Sequence, residues 1–155
     1  MKKYLLVGLI AGLTTFAGLT ATAVAGAEGS DDATMCVYTT QLLTENEVPP
    51  RTAASFGQTQ IKVRNDGTIE FKTHIVNPAG ETFVAGHIHI GSSTEAGPVV
   101  QGIFQGGPTS AEQILQSGEV ANPTLGAAIC ATPSNYYVNY HTTEFPGGAI
   151  RGQLG

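Results

Sequence analysis

Short β-rich runs, each cut off by turn-forming residues after nine residues or fewer, govern what this chain can fold into. The runs 35–43, 56–64, 68–76, 83–90 and 98–104 are rich in β-branched and aromatic residues, and Gly, Pro, Asn and Asp separate them. Asn65-Asp66-Gly67 is a hairpin signal, because these residues tolerate the positive φ that tight turns demand. Further runs at 126–131, 135–142 and 149–154 follow Pro123, and Pro146-Gly147-Gly148 turns the chain between the last two. A helix is expected only at 111–116, where Ser110 can cap the N-terminus and Gln113 can complete a capping box. The pattern predicts an all-β domain: an antiparallel, Greek-key-like sandwich or barrel of about eight short strands with one short helical turn.

Ahead of that domain, Met1-Lys2-Lys3 leads into an uncharged apolar run that ends in small residues at Ala23-Val24-Ala25 and Ala25-Gly26-Ala27. This is the pattern of a signal peptide over residues 1–27. Glycines and threonines dilute the run and no positive flank follows it, which argues against a transmembrane helix; an uncleaved N-terminal anchor is the alternative. Residues 28–33 read as a flexible acidic leader and 34–155 as one domain, with no later segment able to span a bilayer. Cleavage leaves five basic residues against twelve acidic ones, a formal charge of −7, which speaks against a nucleic-acid partner. Export implies an oxidising, extracytoplasmic setting, periplasmic or secreted, in which Cys36 and Cys130 read as one disulfide. Two cysteines without CxxC spacing make a poor metal site.

Side chains alternate across a strand, so parity sorts the histidines. In 83–90, Val84, Gly86, Ile88 and Ile90 share one face, leaving His87 and His89 together on the other. In 135–142, Tyr136, Val138 and Tyr140 pack one way while Tyr137, Asn139 and His141 point the opposite way. In 149–154, Ile150 and Leu154 face the core, and Arg151 and Gln153 face out. If these strands are neighbours, His87, His89 and His141 can converge on one metal ion, since residues two apart on a strand lie about 7 Å apart on the same face. Asn139 and Arg151 would flank that patch. His74, on the polar parity of its strand with Glu70 and Lys72, reads as a surface residue, with a fourth-ligand role as the alternative.

The blocks Leu43-Thr44-Glu45-Asn46-Glu47-Val48-Pro49-Pro50, Ala85-Gly86-His87-Ile88-His89-Ile90-Gly91 with Gly97-Pro98-Val99-Val100, Tyr137-Val138-Asn139-Tyr140-His141-Thr142, and Pro146-Gly147-Gly148-Ala149-Ile150-Arg151-Gly152-Gln153-Leu154 together resemble the CHRD (chordin) domain family. That resemblance implies a compact extracytoplasmic β domain, found as repeats in the developmental regulator chordin and as free-standing secreted proteins in bacteria. The family pattern usually has a small aliphatic residue where Tyr140 stands. A more distant similarity is to copper and zinc superoxide dismutases, β-sandwiches whose copper ligands His87, His89 and His141 match by position. The zinc half has no counterpart, because no His or Asp lies between His89 and Cys130.

Three imidazoles with an open position suit copper first and zinc second. An acidic chain with only Arg151 in the patch is poorly built to attract superoxide. Zinc hydrolysis would want a carboxylate base, and Glu95 and Glu144 are near only in sequence. No nucleophile elbow, phosphate-binding loop or dinucleotide fold is present, so no catalytic residue is assigned. Three readings stay open: an exported protein holding one metal ion, a non-enzymatic interaction or envelope module that contacts another extracytoplasmic protein, and a copper-only redox protein.

Overall fold

The computed structural model describes residues 30–155, so the expected signal peptide and the start of the leader lie outside the described residues. Strands β1 (Thr34–Leu42), β2 (Phe56–Arg64), β3 (Thr68–Val76) and β6 (Gln113–Ala121) form one antiparallel sheet in the order β1-β2-β3-β6. Strands β4 (Phe83–Ile90), β5 (Val99–Gly102), β7 (Tyr136–Thr142) and β8 (Ile150–Gln153) form the other, in the order β5-β4-β7-β8. The sheets face each other as a sandwich and do not close into a barrel. A single antiparallel bridge, with Leu43 and Arg151 exchanging 3.0 Å backbone hydrogen bonds, joins the end of β1 to β8.

Alternation explains the core. Ile61 and Val63 of β2, Ile69, Phe71 and Ile75 of β3, and Ile114 of β6 face Ile88, Val138, Tyr140 and Ile150 of the second sheet. At the β2–β3 turn Gly67 has φ 79°, and the Asp66 carboxylate accepts the Thr68 N–H at 2.8 Å. Tyr140 is fully buried, and it fits because its register partner on β4 is Gly86, where a β-carbon would lie 2.4 Å from the ring. Its hydroxyl donates to Thr73 Oγ1 at 3.0 Å, and burial pushes that hydroxyl up to about 12.

Two elements differ from expectation. The segment expected to be helical at 111–116 lies mostly in β6, whose nine residues pair with β3 along their whole length. Ile114 and Gln116 are buried and Leu115 exposed, so the local period is two and sheet pairing overrides the capping box. Conversely, 126–131 is the last two-thirds of helix α1 (Pro123–Ala131). Asn122 caps it, accepting from Leu125 N at 3.2 Å, and Pro123 occupies the first turn, where its missing N–H costs nothing. A bulge between Phe83 and Ala85 also changes parity at the start of β4: Phe83 enters the core and Val84 is only half-buried. At the far end Ile90 is 39% exposed rather than part of the core face.

Cys36 and Cys130 form the expected disulfide, tying β1 to α1 across 94 residues of chain. Closing a loop of that length removes roughly 4 to 5 kcal/mol of unfolded-state entropy. Reduction, or the double change Cys36→Ala and Cys130→Ala, is expected to lower the melting temperature by about 10 °C or more with the strands intact. Thermal melts with and without reductant, followed by far-ultraviolet circular dichroism, check this.

Candidate metal centre

Strands β4 and β7 are the two central strands of the second sheet, and their register sets the site. Ala85 pairs with His141, His87 with Asn139 and His89 with Tyr137, so these side chains share one face by the pleat. Asn139 in turn pairs with Arg151 on β8. That face is turned away from the core, yet it is mostly covered: His89 and His141 are each 7% exposed, and His87 is half-buried.

The three rings converge. His87 Nδ1 lies 3.0 Å from His141 Nε2, and one nitrogen from each of the three rings lies within 4.8 Å of the others. Backbone carbonyls assign the tautomers, because a carbonyl only accepts. His89 Nδ1–H donates to Gly97 O at 2.9 Å and His141 Nδ1–H to Pro146 O at 3.1 Å, so each leaves its Nε2 lone pair free. His141 Nε2 then accepts from His87 Nδ1. His89 Nε2 is buried and has no partner among the described residues, an expensive state for a polar atom unless something else engages it. An ion entering the cluster would meet free lone pairs on His89 Nε2 and His141 Nε2, and one on His87 Nδ1 only after that ring's proton moves to Nε2. Two imidazole nitrogens on one ion at about 2.0 to 2.1 Å sit roughly 3 to 3.4 Å apart. The His87–His141 pair already has that spacing, and His89, with its ring centroid 5.7 Å from both others, must swing inward.

Burial favours neutral imidazoles. It lowers His87 and His89, with nearby charge adding to the effect, and holds His141 down at about 4 against the pull of its Pro146 hydrogen bond. Each ring is thus neutral at neutral pH, with one N–H and one free nitrogen, and on His87 the N–H is the Nδ1 that faces His141.

The surroundings are more buried than parity alone suggests. Arg151 faces outward from its strand but is 2% exposed, because the 91–98 loop covers it. Its guanidinium lies 3.4 Å over the Tyr137 ring and donates to Ser92 O at 2.6 Å and Glu95 O at 2.8 Å. Asn139 Nδ2 donates to Glu47 Oε2 at 3.3 Å, and Glu47 is itself buried. His74 stands apart, exposed on β3 of the opposite sheet, where it pairs with Gln113. Sequence reasoning missed Glu47 and Tyr137. Nothing in the spacing of Glu45 and Glu47 separates an exposed carboxylate from a buried one, and Tyr137 was visible only as a face-mate of His141. A cleft of about 460 Å³ runs beside Arg151 between Glu47 and Thr94, and none of the three imidazoles lines it.

The CHRD domain family matches the chain over residues 38–154. No curated protein and no solved structure matches it.

Burial pushes the Glu47 carboxyl up to about 7, against the opposing pull of Asn139, Arg151 and Arg51. A carboxyl raised this way supports the fold fully below its ordinary 4.5 and loses that contribution as pH rises through about 7. The histidines act oppositely: held below 6.5, they favour the fold above that pH and lose the contribution on acidification, His141 through about 4. Glu47→Gln is therefore expected to stabilise the protein by roughly 2 to 3 kcal/mol at pH 8 and by little at pH 4.5. Denaturant unfolding at the two pH values checks this; an equal effect at both would contradict it.

Proposed function

The chain belongs to the CHRD domain family, and on that premise we propose that it is an exported protein that holds one copper ion through His87 Nδ1, His89 Nε2 and His141 Nε2. Zinc is the second choice of metal, because three imidazoles and an open position suit both ions and divalent affinity rises to a maximum at copper. The observation that carries the reading is the buried Nε2 of His89, unpartnered among the described residues, with nitrogens of two further imidazoles within 4.8 Å. Bound there, copper would supply one-electron redox chemistry or serve as cargo. His87, His89 and His141 would hold it, and the Gly97 and Pro146 carbonyls would orient two of the rings. The signal peptide over 1–27, the leader over 28–33 and a periplasmic or secreted destination belong to the same reading. The Cys36–Cys130 disulfide suits such a compartment.

A second reading is a non-enzymatic interaction or envelope module that contacts another extracytoplasmic protein. It is favoured by the carbonyl contacts of His89 and His141, which also serve to pin loops to the sheet. Copper-only redox activity of the dismutase kind is the weaker third reading: the acidic chain offers little attraction for a small anion.

Cu(II) titration of residues 28–155 beside a variant carrying His87→Ala, His89→Ala and His141→Ala separates these readings. One equivalent bound at pH 7, with nitrogen hyperfine structure in the electron paramagnetic resonance spectrum, is expected for the native chain and lost in the variant. Binding is expected to weaken as pH falls toward 4, where protons compete for the imidazoles. Equal copper content in both proteins would leave the interaction module as the better account.

A further inference from the structure

The ring that holds the unpartnered nitrogen is oriented by a chain of contacts that begins on a different strand. His89 Nδ1–H points at the carbonyl of Gly97, which lies in the 91–98 loop, 2.9 Å away. The same Gly97 is gripped by Tyr137: its N–H donates to the phenol oxygen at 2.9 Å, and the phenol donates back to its carbonyl at 3.3 Å. Tyr137 also stacks on His89, with ring centroids 4.8 Å apart and planes 13° from parallel. On β8, Arg151 lies over Tyr137 and fastens the loop at Ser92 O and Glu95 O, while Gln153 adds a 2.9 Å bond to Gly91 O. Gly97 cannot be replaced here, since a β-carbon would fall 1.7 Å from Ile90 O. The carbonyl that meets His89 is thus held by a buried forked cation, an aromatic ring and close backbone packing. A lysine could not reproduce this, having neither the planar fork nor the flat face that covers Tyr137.

We propose that Arg151, acting through Tyr137 and the 91–98 loop, is the positioning residue that sets the tautomer and ring orientation of His89. Arg151 touches no imidazole nitrogen, and its effect runs entirely through the Gly97 carbonyl. His141 is oriented independently by Pro146 O in a different loop, so the two imidazoles answer to different loops. The consequence for copper affinity rests on the metal reading above; the tautomer itself does not.

The test uses residues 28–155 in three forms: native, Arg151→Lys and Tyr137→Phe. Tyr137→Phe keeps the ring between His89 and Arg151 but removes the hydroxyl that grips Gly97, and it carries the test if Arg151→Lys does not fold. Long-range ¹H–¹⁵N spectra of the metal-free proteins at pH 8 read each imidazole tautomer. The expected result is His89 wholly Nδ1–H in the native form and mixed in both variants, with His141 unchanged. Cu(II) affinity is then expected to fall roughly 10- to 100-fold. A His89 that stays wholly Nδ1–H in folded variants would overturn the proposal, and so would tautomer changes at both His89 and His141, which would mean general loosening. A shift at His89 alone in variants of a protein that binds no copper would uphold the positioning role and defeat the metal reading.

Discussion

The register of β4 against β7 is the constraint on which the rest of this molecule depends. Side chains alternate with a period of two, so a one-residue slip would send His141 into the core and bring Tyr140 out. The slip is blocked from the core side. Tyr140 occupies the space that Gly86 leaves vacant across the pair, and its hydroxyl reaches Thr73 in the opposite sheet. A side chain at position 86 or a shorter one at 140 would loosen the packing that keeps three imidazoles on one face. Tyr140 therefore serves the site indirectly, by fixing the register that builds it.

Given that register, three loops finish the outer face. Residues 44–51 bring Glu47 to Asn139, residues 91–98 bring Gly97 to His89, and residues 143–149 bring Pro146 to His141. Arg151 connects the first two, giving its backbone carbonyl to Asn46 Nδ2 and its guanidinium to Ser92 and Glu95. Burying a guanidinium and a carboxylate on the outside of a sheet is costly unless partners satisfy them. Arg151 finds backbone carbonyls and the Gln153 amide, so it holds loops in place instead of forming a direct ion pair, while Glu47 has the Asn139 amide on Oε2 and no partner on Oε1 among the described residues. The blocks that resemble the family's signature are thus the parts of one assembly, spread along the sequence but joined across β4, β7 and β8.

Most of the strands were legible, because their limits coincide with turn chemistry that acts locally. β2, β3 and β4 begin and end at the predicted residues, bounded by glycine, asparagine and proline. The faces of β7 were legible for the same reason, since alternation needs no tertiary knowledge. What failed was decided over distance. Residues 111–116 carry a weak helix start at Ser110, but β3 offers 113–121 nine paired positions, and that outweighs a single capping box. Helix α1 was hidden because Pro123 reads equally well as a break or as the first residue of a helix, and only Asn122 before it tips the balance. The bulge at Phe83 leaves no local mark, and the burial of Arg151 and Glu47 depends on loops whose paths no periodicity reports.

The chemistry of the cluster follows from its exposure as much as from its donors. Two of its three rings are nearly enclosed, and the half-exposed His87 is the most accessible. Beside His87 in its row stands Gly102, whose missing side chain leaves that flank uncovered toward β5. A centre reached from one side, in a chain of formal charge −5, draws in cations and discourages small anions. Its neutral imidazoles have no net charge to shed at pH 7, and the Gly97 and Pro146 carbonyls already fix the tautomers of His89 and His141. On the proposed reading these features favour retention over turnover: the site is shaped to keep an ion more than to pass electrons to a charged substrate.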